Sequence, residues 1–107
     1  MAESKPIIRL FFAKMKKAFI DLPEEEKAAF MQKDRKNLDE LGMKAISMIN
    51  CTGFNQEWDY IGVEHWPSME AIEKREEFEQ EELNVAKYVD SMTLLGTSES
   101  FAEYGQE

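Results

Sequence analysis

The chain holds one imidazole, His65, and it is followed directly by Trp66. Histidine is the side chain that most readily takes and gives a proton near neutral pH, so His65 is the first candidate for acid–base work. A lone histidine is also a common structural residue. Arg9 breaks the apolar run from Ile7 to Phe12, and a cation in such surroundings needs a counter-charge, for which Glu64 is the candidate. Two chemistries compete for this pair. One is a buried Arg9–Glu64 ion pair where two copies of the chain meet, and the other is an anion or enolate clamp in which Arg9 binds and Tyr60 donates. Phe12 and Trp66 would then supply apolar wall.

The remaining polar groups carry less. Glu70, Glu73 and Glu77 share one face of a helix and in principle could hold a hard divalent ion, but carboxylates on an exposed helix are usually solvated. No Glu-x-x-His pair exists to build a di-iron site, and no glycine-rich loop is present to cradle a phosphate. The seven methionines are more simply core filling than a copper site. Neither a metal nor another cofactor is expected.

Composition sets the limits on partners. A formal charge of −9, from 22 acidic and 13 basic residues, repels phosphate backbones and anionic lipid head groups, so nucleic acid and membrane are poor partners. Seven of the glutamates fall between Glu70 and Glu82. That segment is the basis of an alternative reading, a non-catalytic interaction or ligand-sensing module that presents an acidic helix. A single cysteine, Cys51, cannot close an intrachain disulfide, which points to a reducing, cytoplasmic setting. The run Ile7 to Ala13 contains Arg9 and lacks a secretory cleavage pattern, and no stretch reaches the roughly 20 apolar residues of a membrane span.

These side chains must be positioned by few elements. A chain of 107 residues makes one domain, with a core over about 6–97 and a polar tail over 98–107 in which Phe101 and Tyr104 are the anchors. Ile7 to Phe12 reads as a strand covered on both faces, and Asp21-Leu22-Pro23-Glu24 as a helix start, with Gly42 as its stop. That helix has the inward stripe Ala28, Met31, Leu38 and Leu41, with Phe30 beside it. Met43 to Ile49 and Trp58 to Trp66 form an antiparallel hairpin across a loop rich in turn residues, Asn50, Thr52, Gly53 and Asn55. Pro67-Ser68 opens a second helix with the sparse stripe Met69, Ile72, Phe78, Leu83, Ala86 and Val89, whose phase slips near Glu79 to Glu82 and predicts a break. Met92 to Gly96 is the fourth strand.

The resulting order, strand-helix-strand-strand-helix-strand, predicts a ferredoxin-like α+β fold, βαββαβ. Right-handed crossovers give the antiparallel order 4-1-3-2 with both helices on one face. The other face is apolar and bare, which predicts a homodimer formed sheet to sheet. Alternation on the third strand puts His65 with Ile61 and Val63, and Tyr60, Gly62, Glu64 and Trp66 on the opposite side.

The ordering, the apolar first strand followed by Leu22-Pro23-Glu24-Glu25, the aromatic third strand and the ending Gly96-Thr97-Ser98-Glu99-Ser100-Phe101-Ala102-Glu103-Tyr104 together resemble the dimeric α+β barrel superfamily. More narrowly they resemble the darcynin family of small proteins. The likeness spans most of the chain. The superfamily, as the resemblance implies, includes cofactor-free monooxygenases, lactone isomerases, heme enzymes and plain ligand-binding proteins, with sites in a cleft between sheet and helices. The narrower family contributes no catalytic residue. Asn50, an amide near a tryptophan and a histidine, resembles the oxygen-activating pockets of the cofactor-free monooxygenases, against its simpler role as a turn residue beside Cys51. Heme-binding relatives often carry a histidine on the second helix, which this chain lacks. The expectation is a homodimer that binds an apolar or aromatic small molecule, as a cofactor-independent monooxygenase or isomerase, through His65, Tyr60 and Arg9 with Phe12, Asn50, Glu64 and Trp66 around the ligand.

Overall fold

The computed structural model describes residues 6–98, so the expected anchors Phe101 and Tyr104 and most of the Gly96 to Tyr104 ending lie outside the described residues. In chain order the elements are β1 (Ile7–Met15), α1 (Lys17–Ile20), α2 (Glu24–Glu40), β2 (Lys44–Asn50), β3 (Tyr60–Trp66), α3 (Met69–Glu81), α4 (Val85–Tyr88) and β4 (Val89–Thr97). One four-stranded antiparallel sheet has the order β2-β3-β1-β4, which read from the other edge is 4-1-3-2. The expected ferredoxin-like α+β architecture is the observed one.

Local chemistry explains the boundaries. Pro23 precedes α2, and Glu24, Glu25 and Glu26 lie against the positive end of its dipole. Gly42 leaves the helix at φ +82°, a conformation in which a β-carbon is strained, and an added one would also sit 3.4 Å from Pro67. Ser68 caps α3 by accepting the N–H of Ala71 at 3.1 Å. The expected break falls after Glu81, where Asn84 takes the left-handed conformation at φ 49° and the chain restarts as the single turn α4. Val89, assigned from the sequence to the helix stripe, is instead the first residue of β4, because the ladder with β1 runs as far as Met15.

The core is small and lies off centre. Among the described residues the buried apolar set is Ala13, Trp66, Ala71, Ile72, Leu83 and Val89. Ile7, Leu38, Leu41 and Met43 pack around Trp66 and Ile72, so α2 and α3 both lie on the face of the sheet that carries Trp66. Full burial of Ile72 stabilises the fold by about 2 kcal/mol. Met31, expected in the inward stripe of α2, is half exposed, and α2 has no buried residue at all. An aromatic clasp of Phe19, Phe30 and Tyr88, with ring centroids 5.5 to 6.4 Å apart, ties α1, α2 and α4 together.

Helices cover the middle of the sheet and leave its edges open. Met48 on β2 is 69% exposed, and Leu95 on β4 is about half exposed. On the side away from the helices, Ile8, Leu10 and Phe12 of β1 align with Ile61, Val63 and His65 of β3 and with Met92, Leu94 and Gly96 of β4. That face is apolar and, apart from Trp58 packed on Phe12, carries none of the helices among the described residues.

Candidate functional site

Arg9 is the most deeply placed charge, with 1% of its surface exposed. Antiparallel register sets it directly opposite Glu64, and its Nε donates to Glu64 Oε1 at 2.7 Å. Its Nη2 donates to Glu79 Oε2 of α3 at 3.2 Å. The guanidinium lies 5.1 Å from the ring centre of Phe11 and 5.3 Å from that of Trp66, an arrangement that favours a cation. Nη1 is buried and has no hydrogen-bond partner.

The two carboxylates are themselves shared. Glu64 Oε1 also accepts from Trp66 Nε1 at 2.9 Å, and Glu79 Oε2 from Arg75 Nε at 3.0 Å. Arg75 continues the chain to α2 by donating to Asn37 Oδ1 at 3.0 Å and by pairing with Asp34. One polar network thus runs from the third strand through the first strand and α3 to α2. Burial alone would push the Arg9 guanidinium down, but the charges of Glu79 and Glu64 and their hydrogen bonds outweigh it and hold the group above its ordinary value. Arg9 is a permanent cation here.

The ion pair expected where two copies meet therefore forms with its expected partner but in a different place. Arg9 and Glu64 face α3, beneath the helices, because Arg9 shares its parity with Phe11 and Ala13 rather than with Ile8, Leu10 and Phe12. Tyr60 lies on this same face, opposite Ala13, four residues along the strand from Arg9. At about 3.4 Å per residue the two are roughly 14 Å apart along the strands, so a clamp using both is not assembled.

The other candidates divide between the two faces. Trp66 is fully buried against Ile72 as part of the core, whereas His65 and Phe12 lie on the bare face. His65 has Lys44 of β2 and Ile8 of β1 as its lateral neighbours, and Phe12 packs on Trp58 with centroids 5.6 Å apart. Phe12, His65 and Trp66 do not share a wall. Asn50 serves its turn, its Oδ1 accepting from Thr52 N at 2.9 Å and Thr52 Oγ1 at 2.6 Å. Cys51 is half-buried in the same turn, and its N–H donates to Asp59 O at 2.8 Å.

An open-sided cavity of about 510 Å³ lies beside the Arg9 network, between the β1–β4 half of the sheet and the α3–α4 kink. Phe11, Ser91 and Thr93 line it on the sheet side, and Glu76, Glu79, Asn84 and Val85 on the helical side. Lys16 and Asp90, 3.5 Å apart, stand at its wall as well. Phe11 and Glu79 belong to both cavity and network, so the guanidinium is directly behind the wall. His65 itself lies on the other face, and the signals for this place in the sequence are Arg9 within its apolar strand and the i, i+4 spacing of Arg75 and Glu79 on a helix. No group of three metal-ligating side chains occurs among the described residues, and none of the described helices is long and apolar enough to cross a membrane.

No family model matches the chain, and no curated protein matches it. Solved structures do. Chlorite dismutase from Candidatus Nitrospira defluvii, in complex with imidazole, superposes with a TM-score of 0.71 at 16% identity, over 92% of this chain and 42% of that one. A heme-binding protein from Thermus thermophilus superposes with a TM-score of 0.71 at 11% identity, over 90% of this chain and 41% of that one. The chain spans about two fifths of the length of each. At such identities the likeness is one of backbone architecture, and the conclusion it carries is that this chain has the α+β fold found in chlorite dismutase-like proteins.

Proposed function

We propose that the chain is a homodimeric protein that binds an apolar or aromatic small molecule in the cavity between β1–β4 and the α3–α4 kink. The observation that carries this reading is the buried Arg9, whose Nη1 lacks a partner and whose contacts Phe11 and Glu79 line a cavity of about 510 Å³. An unpaired buried donor costs about 1–3 kcal/mol, and a ligand oxygen would recover it. Cavities of this size suit drug-sized molecules.

The finer activity, that of a cofactor-independent monooxygenase or isomerase, asks for a hydrogen-bond donor to a ligand carbonyl and a proton acceptor nearby. Arg9 offers the first and Glu76, which has no ion pair among the described residues, offers the second. His65 and Tyr60 would serve elsewhere, His65 on the dimer face. Heme, the group named for the Thermus thermophilus protein, does not suit this wall. The cavity has no histidine, cysteine or tyrosine to ligate iron, and strand alternation turns the Met92 side chain to the other face. The acidic-helix alternative has less support, since Glu79 turns inward to Arg9 and Glu70 pairs with Lys74.

Dimerisation would cover the bare face of Ile8, Leu10, Phe12, Ile61, Val63, Met92 and Leu94 with the same face of a second copy. Membership of the darcynin family and a cytoplasmic location belong to the same proposal, the first on the sequence patterns and the second on the lone cysteine. The test of the site is thermal shift against a panel of aromatic ketones, quinones and acids. Binding compounds should raise the melting temperature, and Thr93→Trp, which places a bulky side chain in the cavity at a strand position, should abolish the shift. A panel without any stabilising compound would remove this reading.

A further inference from the structure

We infer that the ligand of this cavity is an uncharged aromatic molecule bearing a carbonyl oxygen, and that the site selects against carboxylates of the same shape. The inference rests on the cavity being the binding site. It begins with the local charges. In the network behind the wall, two guanidinium groups, Arg9 and Arg75, face three carboxylates, Glu64, Glu79 and Asp34. On the wall itself, Glu76 and Asp90 outnumber Lys16, and Lys16 is paired to Asp90. The buried cluster therefore carries one negative charge in excess, and the wall adds Glu76 to it.

Arg9 looks like an anion site in the sequence, yet its charge is already divided between two carboxylates at 2.7 and 3.2 Å. A third anion would gain little from it while lying close to Glu76 and Glu79. What remains unused is a direction, not a charge. Nη1 is a hydrogen-bond donor without an acceptor, and a carbonyl oxygen satisfies it without adding to the negative excess. Phe11, which touches both the guanidinium and the cavity, would have to rotate to admit the oxygen. Side-chain rotamer changes of this kind are common on binding. The rest of the aromatic body would lie on Phe11 and Val85, with Ser91, Thr93 and Asn84 at its edges.

Three probes of similar size separate the possibilities: 1-acetonaphthone with a neutral carbonyl, 1-naphthoate with a carboxylate, and 1-ethylnaphthalene with no oxygen. Calorimetric titration of the full chain should rank the ketone first, with each of the others at least tenfold weaker. In spectra of nitrogen-15-labelled protein, the ketone should shift the Arg9 Nε–H resonance and ethylnaphthalene should not. Glu76→Gln should narrow the gap between ketone and naphthoate about threefold, the effect of one unit charge some 6 Å away in water.

Naphthoate binding as tightly as the ketone, or a gap that Glu76→Gln leaves unchanged, would overturn the inference and leave the site standing. Ethylnaphthalene binding as tightly as the ketone would remove the role of Arg9 and overturn it too. Failure of all three probes, together with a panel that produces no thermal shift, would take away the site as well.

Discussion

Replacing Arg9 by methionine removes the cation from between Glu64 and Glu79, whose side chains are only 12% and 11% exposed. Breaking a buried pair from one side costs about 3–5 kcal/mol, because the carboxylates stay buried without a counter-charge. The expected outcome of Arg9→Met is a loss of this size in urea unfolding. Adding Glu64→Gln should restore part of it, since the amide oxygen still accepts from Trp66 Nε1 and Glu79 keeps Arg75. An equal loss in single and double variants would show that the cost lies in packing and not in charge. At this scale the sequence was half legible. Arg9 demanded a partner, and strand adjacency named Glu64. The partners on α3 stayed hidden because a charged residue on a helix is normally taken to face water.

The same habit explains the reading of α3 as a whole. Its apolar stripe looked sparse, with Ile72 and Leu83 in phase and only Phe78, out of phase, between them, but Arg75 and Glu79 fill the missing positions at i+3 and i+7 from Ile72. The stripe is complete once those two charges are counted as inward. Helix starts were plain from Pro23 and from Pro67-Ser68, since proline and capping serine act through the local backbone alone. The ends of α4 and β4 were not plain, because the ladder with β1 decides them. Ser68→Ala removes the acceptor for Ala71 N–H and should cost about 1 kcal/mol in urea unfolding with an unchanged slope. A neutral result would mean that water caps the helix equally well. Shortening α3 from this end would not disturb Glu79, about three turns away.

For the molecule, the sheet order followed from topology rules that need only the sequence of elements, and the likeness to solved chains agrees with it. Which face carries the polar network did not follow from those rules. It depended on the parity of Arg9 along β1, and the apolar run is apolar at both parities. The bare face makes its own prediction. Leu10 is central to it, on an inner strand, and Leu10→Asp should turn a dimer into a monomer in sedimentation equilibrium while the far-ultraviolet dichroism is retained. A wild-type chain that sediments as a monomer would refute the sheet-to-sheet pairing directly.

One strand has a consequence for how the protein behaves in concentrated solution. β2 has no buried residue, is an outer strand of the sheet, and displays Ile46, Met48 and Ile49 to solvent beside a loop whose Phe54 is 92% exposed. Such a rim is an invitation to stray chains seeking to zip onto it, a route to aggregates. The irregular register between Ala45 and Ser47 interrupts the row of donors and acceptors, and Lys44 puts a charge at one end of it. That single misstep in the ladder is the chain's guard against its own stickiness, and straightening it would trade a tidier strand for a less tractable protein.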